Sequence, residues 1–292
     1  MINRLCIFGV GLIGGSLARA LRENKTCRHV IGCSRNAEHL KRAQELGVID
    51  EYTTDALTAV KGADMIVLSV PLRAMQALFE QIDSVVETNA VITDVGSAKS
   101  SVERAARKGL KKSIHQFVPG HPIAGTEKSG VEASFAELFK GRKTILTPLE
   151  ENNDDSVQRV TNMWESAGAK VQNMSVSHHD EVLAATSHLP HVLAFGLVDT
   201  LSKMSDRDEI FQYAAGGFRD FTRIASSDPV MWRDICIENS ASIIRIMDQY
   251  IQDLEALKQL IASADMDAIE KLFSSAKKVR DRYTQLTENT SE

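Results

Sequence analysis

The chain has 292 residues, of which 43% are hydrophobic and 25% are charged, and its formal net charge is -5. These values are typical of a soluble globular protein and exclude a disordered or fibrous chain. The mild acidity argues against a nucleic-acid partner, which would need a clustered basic surface. The sequence contains no run of 18 or more apolar residues, so no transmembrane helix is predicted. At this length two domains are expected, because a single hydrophobic core stops growing efficiently.

The cysteines and the N-terminus indicate a reducing compartment. Cys6, Cys27, Cys33 and Cys236 have neither the spacing of a metal site nor the density of a disulfide framework. Residues 1–6 lack the charged and apolar regions of a signal peptide. We therefore expect a cytoplasmic protein without a bound metal, a membrane partner or a nucleic-acid partner.

The glycines divide the chain into two halves, since 14 of the 17 precede residue 175. In that half, short apolar runs near 5–8, 30–33, 65–70, 90–93 and 117–119 alternate with helical stretches, which is typical of a parallel sheet covered on both faces. Two further strands are predicted at 144–147 and 169–171. The predicted fold is α/β, with a Rossmann-like parallel-sheet domain at residues 1–174 and an all-α domain at residues 175–292.

The end of the chain carries a helical stripe of apolar residues. They recur from Ile243 at alternating steps of four and three, and the pattern resumes at Ile269. A period near 3.5 predicts packing against a long partner helix. An internally packed helical bundle and a homodimer surface both satisfy this pattern.

A nucleotide site is predicted at the first turn of the chain. The glycines have the spacing G-x-G-x-x-G directly after a strand and at the start of a helix, and the residues expected to contact the cofactor are Gly9, Gly11, Leu12, Ile13 and Gly14. The free N–H groups and dipole of that helix suit a pyrophosphate. The context of both strand and helix makes the pattern specific for a dinucleotide.

The choice between NAD and NADP depends on the end of the next strand. An Asp or Glu would accept hydrogen bonds from the ribose 2′-OH there, but this chain has Ser34 and Arg35. Arg35 can pair with a 2′-phosphate, which favours tolerance of NADP. If Arg35 is merely solvated and Ser34 holds the ribose, NAD remains open.

Two segments follow strands at the carboxyl edge of the predicted sheet and supply candidate catalytic groups. His121 lies in a loop bounded by glycine and proline, and histidine suits acid–base chemistry near neutral pH. Ser97 follows the neighbouring strand and can orient His121 or contact the same substrate hydroxyl. A purely structural loop histidine is the alternative at His121.

The second domain supplies candidate binding groups. His188 and His191 share a helix face, but an acidic or cysteine third ligand is lacking nearby, so no metal is predicted. Two glycines precede Arg219 and Arg223, which suggests an anion site in which a guanidinium binds a carboxylate. Surface ion pairs are the alternative there.

Five motifs in this order resemble the prephenate dehydrogenase family: Gly9-Val-Gly-Leu-Ile-Gly-Gly-Ser, Asp94-Val-Gly-Ser-Ala-Lys, His121-Pro-Ile-Ala-Gly-Thr-Glu-Lys-Ser-Gly, Ser187-His-Leu-Pro-His and Gly217-Phe-Arg-Asp-Phe-Thr-Arg. The resemblance implies oxidative decarboxylation of prephenate to 4-hydroxyphenylpyruvate in tyrosine biosynthesis, with hydride transfer to NAD or NADP. It also implies a homodimer formed through the helical domain.

The resemblance assigns roles to residues that match the family's motifs. His121 and Ser97 are implied to be catalytic, and the implied substrate-binding residues are Arg223, His191, Ser187, Thr126 and Trp232. Glu127 and Asp220 are expected to act as gating or ion-pair residues. His178, His179 and Asp180, which begin a helix, are expected to cap it.

Other functions remain open at this stage. Within the family, the alternative is an enzyme that prefers arogenate or accepts both arogenate and prephenate. A non-catalytic nucleotide sensor on the same fold would need neither His121 nor Arg223, so their presence favours an enzyme.

Overall fold

The structure is a computed structural model that describes residues 1–205 and 207–288. Strands and helices alternate through the first part of the chain, in the order β1 Ile2–Phe8, α1 Leu12–Glu23, β2 Cys27–Cys33, α2 Ala37–Glu45, β3 Glu51–Thr53, α3 Ala56–Val60, β4 Met65–Leu68, α4 Met75–Ile82, β5 Val91–Asp94, α5 Lys99–Gly109 and β6 Phe117–Val118. The six strands form one parallel sheet in the order β3-β2-β1-β4-β5-β6. The predicted Rossmann-like domain is confirmed.

The sheet is buried on both faces because its strands are apolar at successive positions. In β1, Leu5 and Ile7 belong to one core cluster, whereas Cys6 and Phe8 belong to a second. Successive side chains in a strand point to opposite faces, so the two clusters lie on opposite sides of the sheet. The order of strands reverses between β1 and β4, which is where open α/β sheets bind ligands.

A second, three-stranded sheet follows the first. It contains β7 Gly120–Pro122, β8 Lys143–Leu146 and β9 Lys170–Asn173, and α6 Asp154–Ser166 connects the last two. Strand β7 pairs antiparallel with β8, and β8 pairs parallel with β9. The chain breaks from the first sheet at Pro119, where proline cannot donate a ladder hydrogen bond.

This second sheet corrects one expectation. His121 lies in a strand, paired with Ile145 of β8, and not in a loop. The sequence predicts two further strands at 144–147 and 169–171 without assigning them to a sheet. Both are present as β8 and β9, and they belong to the second sheet.

The remainder of the described chain is helical, with α7 Val176–Leu183, α8 Leu189–Ser202, α9 Arg207–Gln212, α10 Gly216–Thr222, α11 Pro229–Glu238, α12 Ser240–Ala262 and α13 Met266–Glu288. One turn of π-helix, Ala184–His188, joins α7 to α8. Among the described residues, one helical run, Val176–Ser202, is long and apolar enough to cross a membrane by length and composition. It contains the buried polar residues His179, Asp180 and His188.

The chain divides into two compact units, Met1–Ser240 and Ala241–Glu292. In the second unit, α12 and α13 are joined by a turn in which Ala264 has a φ of 54° and the Asp265 side chain accepts a hydrogen bond from the Ala268 N–H. Several large apolar side chains of these two helices are exposed, among them Ile251, Leu254, Ile261, Phe273 and Val279. The proposed boundary after residue 174 falls within the first unit and stays a prediction. Residues 206 and 289–292 of the proposed helical domain lie outside the described residues.

Candidate active site

The turn between β1 and α1 has the geometry of a dinucleotide site. Gly9 has a φ of 87°, and a Cβ there would lie 2.1 Å from the Ser69 carbonyl oxygen, so only glycine fits. A Cβ on Gly14 would lie 2.3 Å from the Gly9 carbonyl oxygen, which shows how closely α1 approaches the sheet. A tight turn and a close approach of the helix are the backbone features that a dinucleotide-binding turn requires.

The space beside this turn suits a pyrophosphate. Gly11 directly precedes α1, and a Cβ built there would meet no atom within 4 Å. Leu12 and Ile13 begin the helix, where backbone N–H groups have no partner within the helix. Free N–H groups beside open space fit the phosphates of a nicotinamide dinucleotide, and we expect these residues to hold it.

Ser34 and Arg35 lie at the carboxyl end of β2. The Ser34 hydroxyl accepts a hydrogen bond from the Asn36 N–H at 3.2 Å, and the Asn36 side chain caps α2 by accepting one from the His39 N–H. Arg35 is exposed. The strand end thus presents a hydroxyl and a cation where a carboxylate would select the ribose 2′-OH.

The strongest cluster of polar groups surrounds His121. This side chain is buried in β7, and its Nδ1 lies 2.9 Å from Nε2 of His179 in α7. His179 Nδ1 lies 2.8 Å from Oδ1 of Asp180. The three side chains form a continuous hydrogen-bonded line from a carboxylate through two imidazoles.

The Asp180 carboxylate is held at the start of α5. The backbone N–H groups of Lys99 and Ser100 donate to its two oxygens at 2.7 Å and 2.8 Å. Burial raises the pKa of Asp180, but the hydrogen bonds from His179, Ser100 and Lys99 outweigh burial and leave the pKa below its ordinary value. Asp180 is therefore ionised at neutral pH and acts only as an acceptor.

An ionised Asp180 determines the tautomers of both histidines. His179 must donate its Nδ1–H to the carboxylate, so its Nε2 carries a lone pair in the neutral ring. His121 then donates its Nδ1–H to that lone pair. The lone pair of His121 is consequently on Nε2, the ring nitrogen that faces away from His179.

The electrostatic surroundings keep His121 neutral. Its pKa lies well below the ordinary value because the ring is buried, and because His179, Lys99 and His188 disfavour another positive charge nearby. Burial also lowers the pKa of His179, although Asp180 opposes the shift. A neutral imidazole with a lone pair on Nε2 is a general base.

The π turn and α8 carry the second group of polar residues. The His191 Nδ1 lies 2.9 Å from the Ser187 carbonyl oxygen, and its ring stacks on Trp232 with centroids 3.6 Å apart and an interplanar angle of 18°. His188 meets the same Trp232 ring edge-on at 6.0 Å. Burial lowers the pKa of His188 to about 4. Trp232 is buried and supplies an apolar wall between two imidazoles.

Arg223 and Glu127 form an ion pair between the end of α10 and the loop after β7. The Arg223 side chain is 62% exposed, so its charge is accessible to a ligand. Thr126 and Asp220 are also exposed, and the Thr126 hydroxyl accepts a hydrogen bond from the Lys128 N–H. The structure therefore brings one predicted anion-binding residue into contact with one predicted gating residue.

The other predicted residues are placed separately. Ser97 is half-buried in the turn between β5 and α5, next to Lys99. Ser187 contributes its carbonyl group to His191. The role of Ser97 rests on the resemblance of its motif.

Two functional residues were missed by the sequence analysis. His179 and Asp180 were expected to cap a helix, and that expectation is wrong: the Ser175 side chain caps α7 by accepting a hydrogen bond from the His178 N–H. His179 and Asp180 are buried one turn later and contact His121 and α5. The signal available was the pair of adjacent ionisable residues His179 and Asp180 near the start of an apolar helical stretch.

The fold and the glycine turn after β1 are those of a nicotinamide-dependent dehydrogenase. Family models for the prephenate dehydrogenase nucleotide-binding domain and the prephenate dehydrogenase dimerization domain match residues 17–173 and 175–275. The chain belongs to the prephenate dehydrogenase family and is an oxidoreductase.

Individual relatives agree with this assignment. The chain is 38% identical to cyclohexadienyl dehydrogenase of Zymomonas mobilis over 96% of both chains. It is 36% identical to prephenate dehydrogenase of Bacillus subtilis over 96% of this chain and 76% of the relative. The structure resembles that of prephenate dehydrogenase from A. aeolicus in complex with hydroxyphenyl propionate and NAD+, with a TM-score of 0.89, 39% identity and coverage of 96% and 97%.

Proposed function

We propose that this chain catalyses oxidative decarboxylation of prephenate to 4-hydroxyphenylpyruvate, with hydride transfer to a nicotinamide cofactor. The observation that carries the proposal is the neutral His121, whose Nε2 lone pair is set by His179 and Asp180. The reaction needs a group that removes the proton of the 4-hydroxyl, and a buried neutral imidazole meets that need. Loss of the ring carboxylate restores aromaticity and thereby drives the step to completion.

The protein's part in the reaction is proton transfer and orientation. When bound, the nicotinamide accepts the hydride from the ring carbon that carries the hydroxyl. His121 Nε2 takes the hydroxyl proton as the carbon–oxygen bond becomes a carbonyl. The bond between the ring and its carboxylate then breaks, carbon dioxide leaves, and the bonding electrons enter the ring to form a phenolate. The proton held on His121 Nε2 returns to that oxygen, which gives the phenol. Ser97 is proposed to donate a hydrogen bond to the same oxygen.

Recognition of the substrate is proposed to involve Arg223. Its guanidinium is paired with Glu127 in the structure. A substrate carboxylate can pair with a guanidinium through two parallel hydrogen bonds. The substrate would therefore displace Glu127, which makes that residue a gate that is released on binding. Asp220 is exposed on α10, the helix that directly precedes Arg223. It is proposed to pair with the Arg223 guanidinium or to assist its release from Glu127.

The remaining polar contacts are proposed to lie around Trp232. His191 stacks on this ring and would face the substrate through its Nε2, since its Nδ1 is engaged by Ser187. Trp232 would pack against the apolar face of the cyclohexadienyl ring. Thr126, next to Glu127, is proposed to bind a polar group of the substrate.

Either cofactor is compatible with the strand end at Ser34 and Arg35. We propose that the enzyme tolerates NADP as well as NAD, because Arg35 is exposed and can pair with a 2′-phosphate. Ser34 would hold the ribose hydroxyl in either case.

We propose a homodimer formed through α12 and α13. Large exposed side chains such as Phe273 and Val279 form apolar surface of the kind that interfaces bury. The description of the family model over residues 175–275 as a dimerization domain supports this proposal.

The four cysteines are free, with their thiol pKa values raised by burial, which suits a reducing, cytoplasmic location.

One assay tests the proposed function. Reduction of the cofactor is followed spectrophotometrically in the four combinations of prephenate or arogenate with NAD or NADP. We expect prephenate to be oxidised, and His121→Asn to lower kcat by about 10²- to 10⁴-fold with a smaller effect on KM. If the enzyme prefers arogenate, its substrate assignment changes from prephenate to arogenate, and the family stays the same. A variant that retains the wild-type kcat would remove His121 from the role of base.

A further inference from the structure

We propose that Lys99 is a positioning residue for His121, and this inference rests on the proposed role of His121 as the base. Lys99 is fully buried. Its side chain holds the peptide group between Gly120 and His121, and its backbone N–H holds the Asp180 carboxylate, which orients His179. Lys99 is the last residue of the motif that begins at Asp94, and no step of the proposed reaction uses its side chain.

The side chain of Lys99 is the first arm of this arrangement. Its Nζ donates to Oδ2 of Asp94 and to the Gly120 carbonyl oxygen, both at 2.6 Å. Asp94 in turn accepts the Gly120 N–H through Oδ1 at 3.1 Å. The two backbone groups of the residue before His121 are thus held by one ion pair, whose side chains are both fully buried.

The backbone of Lys99 is the second arm. Its N–H donates to Oδ1 of Asp180, the oxygen that also accepts from His179. Lys99 therefore joins three elements that approach the base from different directions: β5 through Asp94, β7 through Gly120 and α7 through Asp180. A shift of this residue would move both ends of the bond between His121 and His179.

The burial of the Lys99 ammonium group carries an energetic cost. Removing an ammonium group from water is unfavourable, and well-packed apolar residues often replace a buried ion pair without loss of stability. The strand that carries His121 is only three residues long, so few ladder hydrogen bonds hold its backbone. The ion pair supplies the anchor that this short strand lacks.

The charge of Lys99 provides an independent readout. The charged or titratable groups around it are Asp94 from β5, Asp180 and His179 from α7, and His121 from β7. Burial, His179 and the Lys99 charge lower the pKa of His121. Removing the Lys99 charge should therefore raise that pKa, which displaces the acid limb of the kcat profile to higher pH.

The test uses two variants of the full chain. Lys99→Met with Asp94→Asn removes both charges and so avoids a lone buried carboxylate. Lys99→Arg keeps the charge but donates from a larger planar group, and it is the fallback if the double variant does not fold. Lys203→Met with Asp199→Asn removes an exposed ion pair and is the matched control. Thermal unfolding, cofactor affinity, kcat, KM and the pH profile are measured for each.

We expect the double variant to lose about 10²-fold in kcat while KM and cofactor affinity change by less than about threefold. Its acid limb should move to higher pH, because Lys99 is among the charges that lower the pKa of His121 and Asp94 is not. Lys99→Arg should lose at least about tenfold in kcat with the acid limb unmoved. The control should match the wild type in every measurement.

Two results would overturn the inference. One is a folded Lys99 variant whose kcat stays within about twofold of the wild type. The other is a double variant that loses kcat while its acid limb does not move, since that would make Lys99 merely structural. His121→Asn in the same assay separates the two proposals: if it keeps kcat, the base assignment fails, and if it alone loses kcat, only the role of Lys99 fails.

Discussion

Asp180 accepts a hydrogen bond from the backbone N–H of Ser100 at 2.8 Å, and this contact joins two residues that are 80 positions apart in the chain. It places a carboxylate at the N-terminus of α5, where the helix dipole favours negative charge. The dehydrogenase domain thus keeps Asp180 ionised, and through it orients the histidines that follow.

Replacement of Asp180 tests this orientation. Asp180→Asn preserves the size of the side chain but introduces an N–H where Lys99, Ser100 and His179 all donate. The His179 tautomer should then reverse, and kcat should fall by about 10²- to 10⁴-fold, as for other histidines deprived of an orienting carboxylate. Steady-state kinetics with prephenate measure the effect. The control is Asp228→Asn, which alters a carboxylate that caps α11. Equal losses of kcat in both variants would contradict the orienting role of Asp180.

The pH profile tests the neutrality of His121. A base must be unprotonated to act, and a lowered pKa keeps His121 unprotonated to more acidic pH than an ordinary histidine. We therefore expect the acid limb of kcat/KM to lie below about 6.5, the usual histidine pKa. Initial rates measured from about pH 5 to pH 9 would show it, and the limb should be absent from any residual activity of His121→Asn. A limb above the usual histidine value would contradict the assignment.

Arg223 is expected to bind a substrate carboxylate. Arg223→Gln removes a charged donor, so KM for prephenate should rise about 10- to 100-fold while kcat changes much less. Arg104→Gln is a suitable control, because Arg104 also forms an exposed ion pair with a glutamate, Glu238. An unaltered KM in Arg223→Gln would exclude the carboxylate role.

Arg35 is expected to determine tolerance of NADP. Arg35→Gln should lower kcat/KM with NADP about tenfold and leave kcat/KM with NAD nearly unchanged, because only NADP carries a 2′-phosphate. Arg28→Gln, in the same strand region but at its opposite end, controls for loss of a surface charge. Equal effects on the two cofactors would place Arg35 outside the ribose site.

The exposed surface of α13 should mediate dimerisation. Phe273→Glu places a charge in the proposed interface, so the protein should elute at the mass of one chain in size-exclusion chromatography with light scattering, while the wild type elutes at twice that mass. Lys278→Glu, a charge change at an exposed polar position of the same helix, should leave the dimer intact. A monomeric wild type would refute the proposal.

Much of the fold is predictable from the sequence because its signals are local. The apolar strands between helices, the turn at Gly9 and the loss of glycine after residue 174 all report backbone geometry within a few residues. The family motifs add the family and its activity. The strand that carries His121 escaped prediction, since a segment of three residues that follows Pro119 and ends at Pro122 has no period to detect.

The polar line through the site is less predictable because it is assembled over long distances. His179 and Asp180 look like helix-start residues, and only the fold shows that they meet His121 and α5. Lys99 lies in a motif, but its partners Asp94 and Gly120 are separated from it by 5 and 21 residues. Burial, which gives these contacts their strength, is not visible in a motif.

The π turn at Ala184–His188 has a consequence for how this site can change. Each residue added to or removed from an α-helix rotates everything beyond it by about 100°. The turn lies between His179, which contacts the base, and His191, which stacks on Trp232. Insertion or deletion of one residue there would leave the first contact in place and turn the second side chain away. Length variation in this segment is thus a route to a different substrate pocket beside an unchanged proton acceptor.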